Sequence, residues 1–502
     1  MKKHIYLAMD FGSGSGRGLV GAFDGSLLRM DEISRFPNYF VNINGSLYWN
    51  TYYLYHEILK SARKVTSMYE TEEIQSMGID TWGTDFGLID RNGRLLDGCR
   101  CIRNSDGTGM NAVNQIVSFS RLYRCAGIQC MRGNTLYQLY ERKLFGDSAL
   151  EQADTMLMVP DLLSYYLTGE KYAEYTIAST TMMLNPYTKK WNSELMSLLE
   201  LSDQLLPPII MPCEKAFPVR TGLVDDNSKW RLIPVASHDT ASAVAAAPLK
   251  KGEIFCSSGT WSMIGIEREE PLISDFARKT NFSNEGTIDG KIRLLKNCMG
   301  MWAVQQCAAR WCDRGTFVDW KGIVELAGGE RPFISLVNLE EPEFYNAGDM
   351  VMKIQDYCRR TNQTIPESKG AIARCIYESM ALRYRYIVEQ LEKVTGKSFK
   401  AFRIVGGGIQ NTLLNQFTAN ALDKLVITGP VEAACAGNIL AQAVAAGDLG
   451  GFDDIRDVTE RSFEICKYEP IQTREWDVAY GKYLRLINKR WIETWEQDTK
   501  II

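Results

Sequence analysis

The sequence predicts a two-domain α/β protein in which one hairpin pattern occurs twice. Three observations carry that reading. The chain has 502 residues, about three times the roughly 150 expected per domain. Short apolar strands alternate with helical stretches along its length. An apolar strand, a tight turn of glycine and small hydroxyl residues, and an apolar return strand appear as a unit at two places about half the chain apart, which reads as a weak internal duplication.

The elements follow in order. Ile5–Met9 runs into Asp10-Phe11-Gly12-Ser13-Gly14-Ser15-Gly16-Arg17 and returns as Gly18–Phe23, the first hairpin. Leu54–Met68 has helical periodicity, Ile74–Asp80 reads as a strand, and Thr155–Leu167 reads as a helix interrupted at Pro160. A proline-bounded strand, Leu232–Val235, precedes a helix of small residues that ends near Pro248, and the domain boundary is placed there. The second hairpin follows: Glu253–Cys256, the turn Ser257–Thr260, and Trp261–Ile266. Lys369–Thr395 is helical, Phe402–Val405 is a short buried strand ending in Gly406-Gly407-Gly408, and Arg474–Gln497 is an amphipathic helix with Trp476, Trp491 and Trp495 that packs back on the body. The expected division is 1–247, 248–470 and a helical tail, 471–502.

Composition narrows the function. Hydrophobic residues are 45% and charged residues 24% of the chain, as in soluble globular proteins, which excludes a fibrous or unstructured role. Lys+Arg number 57 against Asp+Glu 61, so no basic surplus argues for nucleic acid or an acidic membrane as partner. No apolar stretch approaches the roughly 18 residues of a membrane span. The start Met1-Lys2-Lys3-His4 precedes an apolar run, Ile5–Met9, too short for a signal sequence, so a cytoplasmic location is expected. Thirteen cysteines without repeated CxxC pairs point to reduced thiols, with Cys358 and Cys375, at the ends of one long helical region, as the candidate disulfide. The three histidines, His4, His56 and His238, lie far apart and argue against a zinc site.

The turn Gly12–Arg17 offers backbone N–H groups with little steric cover, which suits phosphate oxygens. It is no Walker loop, because no Gly-Lys-Ser/Thr follows and the next element is a strand. The literal GxGxxG at Gly16, Gly18 and Gly21 falls inside that strand. Alone, the turn reads better as an ordinary hairpin. Combined with Ser257–Thr260, Gly406–Gly408 and Asp10, it fits a nucleoside triphosphate: hairpins on the phosphates, the acid near Mg2+, glycines under the adenosine. In Ala236-Ser237-His238-Asp239-Thr240-Ala241, Asp239 opens a helix. It is either an N-cap or a base that accepts the proton of an attacking hydroxyl, with Thr240 beside it. Trp82 in Thr81–Gly87 is either a sugar-stacking ring or core, and Gly83 permits close approach.

Taken together these residues resemble the FGGY carbohydrate kinases of the actin, Hsp70 and hexokinase superfamily, and within them the branch acting on L-rhamnulose. The phrases that carry the resemblance are Ile79–Phe86, Ala236–Val244, Ser257–Ser262, Leu295–Trp302, Val405–Gln416 and Gly429–Ala433, spread over nearly the whole chain. The resemblance implies two ribonuclease-H-like (actin-like ATPase) domains flanking a central catalytic cleft, the first binding sugar and the second nucleotide, with ATP and Mg2+ as cofactors. It implies Asp239 as catalytic base, and Gly83, His238, Asp239, Thr240 and Asn297 on the ketose. Ser13, Gly14, Ser15, Gly16, Arg17, Thr260, Gln305 and Gly407 would lie on ATP, with Asp10 on the metal through water. The implied reaction makes L-rhamnulose 1-phosphate, with L-fuculose or L-xylulose as alternative ketoses, in a monomer or small homo-oligomer.

One departure bears on the sugar. Where that branch usually carries Tyr-Arg-Asp-x-Arg-Thr, this chain reads Ile102-Arg103-Asn104-Ser105-Asp106-Gly107-Thr108, and only Arg103 fits. Gly14 also stands where serine or alanine is commoner. A nucleotide-dependent assembly or chaperone protein could share the fold, but it has no reason to carry the Ser-His-Asp-Thr phrase with Gly83 and Asn297. The polar residues present in the phosphate turns argue against a non-catalytic sugar sensor.

Overall fold

A computed structural model of the chain describes residues 4–101, 105–224, 229–313, 319–346 and 348–498. Within it the chain forms two compact units: Met1–Pro248 with Ile266–Lys296 and Glu432–Glu464, and Leu249–Gly265 with Asn297–Val431 and Ile465–Ile502.

In the first unit, β1 (His4–Phe11) and β2 (Ser15–Phe23) pair antiparallel from His4↔Phe23 to Phe11↔Gly16, so the turn itself is only Gly12–Gly14 and Ser15–Arg17 belong to the return strand. β3 (Leu28–Pro37) extends the hairpin, α1 (Thr51–Met68) follows, and β4 (Ile74–Thr81) joins β1 in parallel. The helix expected over Thr155–Leu167 is split. Thr155–Met158 is a strand paired with Phe86–Ile89, and α2 (Val159–Thr168) begins after it. Pro160 lies in the first turn of α2, where its missing N–H has no helical partner to lose, so it starts the helix instead of breaking it. β5 (Phe217–Pro218) and β6 (Arg231–Leu232) complete the sheet in the order β5-β6-β4-β1-β2-β3. The expected strand to Val235 thus ends at Leu232, and α3 (Asp239–Ala245) closes this part of the chain.

β1 is buried on both faces, which is why its sequence is a continuous apolar run. Side chains alternate along a strand. Ile5, Leu7, Met9 and Phe11 enter one core with Leu54, Ile58, Ala62 and Val65 of α1, while Tyr6 and Ala8 enter another with Ile439, Leu440 and Ala443. Asp10 has the parity of the second face and is buried there.

The second unit repeats the pairing pattern. β7 (Ile254–Ser258) and β8 (Trp261–Arg268) pair antiparallel from Phe255↔Gly265 to Ser258↔Ser262. α4 (Trp302–Asp313) and α5 (Lys369–Thr395) precede β9 (Ala401–Val405), which lies parallel to β7 as β4 does to β1. α5 has the bounds read from the sequence; Ser368 caps its start and Gly396, at φ 66°, ends it. α6 (Thr412–Leu422) leads to β10 (Leu425–Thr428), parallel to β9, and β11 (Lys467–Tyr468) is antiparallel to β10. The C-terminal helix Thr473–Asp498 seats Trp476 edge-on to Phe333, with ring centroids 4.9 Å apart, and against Phe417 at 5.2 Å.

The compact units depart from the contiguous division at 247/248 and 470/471 in two segments, Ile266–Lys296 and Glu432–Glu464, and one helix explains the second. α7 (Ala433–Ala446) packs on β1, β4 and α3 in the first unit. Gly437 makes that fit possible, since a Cβ there would lie 1.9 Å from the Ser242 carbonyl oxygen. All thirteen cysteines are free thiols. Cys358 and Cys375 are buried on two separate helices, Met350–Arg360 and α5, where their thiols meet through a hydrogen bond as free cysteines instead of the disulfide considered from the sequence. No helix among the described residues is long and apolar enough to cross a membrane.

Candidate active site

The first-unit site begins where β1 and β4 end. Their parallel register sets Asp10 beside Asp80, and both carboxylates are buried. Arg17, opposite Asp10 on β2, forms an ion pair with it at 3.2 Å and a second with Glu432. Asn438 of α7 donates to Asp80 Oδ2 at 2.6 Å. Burial raises both carboxyls above the usual range, and the Arg17 guanidinium, which opposes burial at Asp10, is itself held charged chiefly by Asp10. Arg17 is therefore committed to carboxylates of its own unit.

The Gly12–Gly14 turn is tied down by Asn38, whose side-chain amide donates to Gly12 O at 2.9 Å and whose backbone N–H donates to Gly14 O at 3.2 Å. The Gly12 N–H is also engaged, donating to Ser15 O at 3.0 Å. A Cβ on Gly14 would meet nothing within 4 Å, so a serine or alanine fits there as well.

The Ser-His-Asp-Thr phrase follows β6 and is bound into the same sheet edge by Thr81 N–H donating to Ser237 O at 2.9 Å. Asp239 is the first residue of α3 and its side chain is 27% exposed, whereas the His238 ring beside it is 5% exposed. The Thr240 N–H and hydroxyl both donate to Asp239 Oδ1, at 2.5 and 3.1 Å. The N-cap position is His238, so Asp239 is not the cap that one sequence reading made it; it is fixed by Thr240 and keeps an open edge. Its carboxyl is pushed up to about 7, first by burial and then by the Asp10 charge, against which the Thr240 bonds pull down. Thr240 itself is buried, with its hydroxyl aimed at Asp239.

His238 is held from the other side. Arg293, fully buried, donates through Nη2 to His238 Nδ1 at 3.2 Å and through Nε to Gly286 O at 2.9 Å, while Glu285 Oε2 lies 3.4 Å from Nη2. Burial, then the Arg293 charge, keeps the imidazole neutral. Behind the phrase, Glu174 accepts from Thr176 N–H at 2.8 Å, Thr176 hydroxyl at 2.6 Å, Ile177 N–H at 3.2 Å and Ser237 N–H at 3.0 Å. Burial pushes this carboxyl up to about 7 in spite of those bonds.

A Cβ on Gly83 would lie 3.2 Å from Thr180 Oγ1, a tight contact, and 3.6 Å from His238 Nε2, an ordinary one. Trp82 is core. It is 9% exposed, packs at a tilt against Trp49 with ring centroids 4.3 Å apart, and donates its indole N–H to Asp85 at 2.9 Å. Of the departing segment Ile102–Thr108, residues 102–104 lie outside the described residues, while Asp106 accepts from the N–H and hydroxyl of Thr108 at the start of the helix Thr108–Ile116.

In the second unit the β7–β8 turn is Gly259-Thr260, since Ser257 and Ser258 belong to β7. Its carbonyls accept from Met301 N–H at 2.9 Å and from Gly300 and Trp302 N–H at 3.2 and 3.1 Å. The three glycines after β9 differ in function. A Cβ on Gly408 would sit 2.0 Å from Ser258 Oγ, and one on Gly406, at φ 88°, 2.9 Å from Ser258 O, whereas Gly407 has nothing within 4 Å. Two glycines let β9 close on β7, and Gly407 is the one left open. Asn297, half-buried on the strand Ile292–Met299, and Gln305, half-buried on α4, belong to this unit as well.

The structure thus gathers Asp10, the glycine turn, Arg17, Gly83, His238, Asp239 and Thr240 in the first unit, and Asn297, Thr260, Gln305 and Gly407 in the second. Sequence reasoning missed Asp80, Asn38, Glu174, Glu285 and Arg293. Two of these left a signal: Asp80 ends the strand next to that of Asp10, and Arg293 is a lone charge within the apolar strand Ile292-Arg293-Leu294-Leu295.

A duplicated hairpin-plus-parallel-strand α/β unit with clustered carboxylates beside glycine turns defines an actin-like ATPase fold, and the comparisons agree. The gluconate kinase from Lactobacillus acidophilus superposes with a TM-score of 0.78 over 97% of this chain and 98% of that one, at 16% identity. Models of the FGGY family of carbohydrate kinases match residues 5–245 (N-terminal domain) and 254–446 (C-terminal domain), and the chain belongs to this family. It is 40% identical over 486 residues to a rhamnulokinase of Bacteroides thetaiotaomicron, covering 95% of this chain and 98% of the relative. A rhamnulokinase of Bacillus subtilis is 37% identical over 471 residues, 93% of this chain and 95% of the relative.

Proposed function

We propose that the protein transfers the γ-phosphoryl group of ATP to the C1 hydroxyl of L-rhamnulose. The observation that carries the mechanism is Asp239, a carboxylate open at one edge, fixed by Thr240 and pushed up to about 7, where a general base works best near neutral pH. Asp239 accepts the proton of the C1 hydroxyl as its oxygen bonds to the γ-phosphorus and the bond to the β-phosphate oxygen breaks, releasing ADP. His238, Gly83, Thr240 and Asn297 bind and orient the ketose.

Ser13 and Gly14 of the turn, Ser15 and Gly16 at the head of β2, and Thr260 bind phosphates beside Arg17, which stays on Asp10 and Glu432, and Gln305 with Gly407 bind the nucleoside. The open face of Gly407 supports that role. On this reading 1–247 is the sugar-binding region and 248–470 the nucleotide-binding region. The paired buried oxygens of Asp10 and Asp80, only partly balanced by Arg17, fit a hard divalent cation. Among the described residues no group of three or more His, Cys, Asp or Glu forms a metal cage, as suits Mg2+, which is usually held by one or two carboxylates, waters and substrate phosphates. Asp10 would hold it through water, and when bound it neutralises phosphate charge.

The test is ADP release by the purified protein with L-rhamnulose, L-fuculose and L-xylulose, each as a full Michaelis curve. The highest kcat/KM is expected on L-rhamnulose. A higher value on another ketose would replace the sugar, and no ADP release with any ketose would overturn the reading.

A further inference from the structure

Arg293 is the largest side chain that is fully buried, and it carries a charge. Burying a guanidinium is costly unless its donors are used. Glu285, also buried, offsets the charge at 3.4 Å, and Gly286 O takes the Nε proton, yet one Nη2 proton is spent on a neutral ring, His238 Nδ1 at 3.2 Å. That bond has a chemical consequence. Arginine has five N–H donors and no acceptor, so Nδ1 must be the unprotonated nitrogen and the ring proton must sit on Nε2.

The Nε2 side is where a ligand can reach. Asp239 Oδ1 lies 3.6 Å from Nε2, too far for a direct hydrogen bond. The missing side chain of Gly83 leaves space 3.6 Å from the same nitrogen. Two oxygens on neighbouring carbons of a sugar are spaced by about a hydrogen-bond length, so groups 3.6 Å apart, as Asp239 Oδ1 and His238 Nε2 are, can each meet one of them.

We infer that Arg293 is a positioning residue that locks His238 as the Nε2–H tautomer, so that the imidazole donates to the oxygen on C2 of the ketose while Asp239 accepts from the hydroxyl on C1. The inference rests on the kinase reading for the identity of the acceptor; the tautomer itself does not. Arg293 acts through His238 and touches neither sugar nor phosphate.

The chain has only three histidines, so ring-15N-histidine labelling of the full protein gives few signals, and His238→Gln assigns the one that matters. The wild-type spectrum at neutral pH is expected to show His238 with a protonated Nε2 and a bare Nδ1. Arg293→Met, close in volume and without donors, is expected to lose that signature and to raise the L-rhamnulose KM about tenfold, the loss of one good donor, with the ATP KM unchanged. Arg293→Lys, which keeps a donor and charge, restores part of both.

A wild-type His238 found as Nδ1–H or as imidazolium overturns the inference, and this measurement stands even when Arg293→Met does not fold. A folded Arg293→Met with unchanged tautomer and unchanged ketose KM overturns it too. Failure of the kinase reading looks different: the tautomer stays as stated, but adding L-rhamnulose leaves the Nε2–H resonance where it was.

Discussion

Lowering the pH should switch the enzyme off at an unusually high value. The Asp239 carboxyl lies at about 7, some three units above the ordinary 3.8, because it is buried and faces the Asp10 charge. Three units correspond to about 4 kcal/mol in favour of the neutral form. A base must be ionised to accept a proton, so kcat/KM for the ketose follows the ionised fraction. Between pH 8 and pH 5 that fraction falls about a hundredfold for a group at 7, but less than twofold for an ordinary aspartate. The difference is large enough to decide between them.

The assay is direct quantification of ADP across that range, without coupling enzymes that would themselves titrate. His238 does not supply such a limb, because burial and Arg293 hold it neutral. Glu174 also lies at about 7 and must be separated. In Glu174→Gln the limb is expected to remain, at a lower rate. A profile flat from pH 8 to pH 5, or a limb that vanishes in Glu174→Gln, would refute the assignment to Asp239.

Other outcomes follow from particular contacts. The raised Glu174 carboxyl makes folding easier when protonated, so the stability it contributes is present below about 4.5 and lost as pH rises to about 7, roughly 3 kcal/mol in all. Urea midpoints of Glu174→Gln should therefore vary less with pH over that window, and a curve parallel to wild type would contradict this. Gly408→Ala drives a methyl into Ser258 Oγ and is expected to lower stability by about 1–3 kcal/mol. Gly407→Ala should melt like wild type and raise the ATP KM; equal melting of both variants with unchanged KM would remove the distinction. All thirteen thiols should react with a thiol reagent in denaturant without prior reduction, and a count of eleven would reveal a disulfide.

Much of the fold was legible because it follows from local pattern. The hairpin of β1 and β2, the helix Lys369–Thr395 and the glycines after β9 are each written in a few consecutive residues. The strand Thr155–Met158 was not, since Met156-Leu157-Met158-Val159 is apolar without a period and fits helix or strand equally. In the site, Asp239 and His238 stand out as a phrase, but the residues that tune them come from far away in sequence. Arg293 is 55 positions from His238 and Glu174 is 63 from Ser237. Trp82 shows the converse: its setting in a recognisable phrase left sugar and core both open, and its packing on Trp49 and its bond to Asp85 make it core. The compact units differ from the contiguous division for the same reason: α7 carries its small residues to α3 across most of the second half of the chain.

The central claim is that Asp239 takes the proton of the sugar hydroxyl, and Asp239→Asn tests it most directly. The side chain keeps its shape and the Thr240 N–H still finds an amide oxygen at Asp239 Oδ1's position, so the fold and nucleotide binding should persist. Removal of a positioned base costs about 10²–10⁴ in rate. The measurement is kcat for L-rhamnulose phosphorylation alongside the nucleotide Kd. A fall of about a hundredfold or more with unchanged nucleotide affinity is predicted, and turnover within a few fold of wild type would contradict the account.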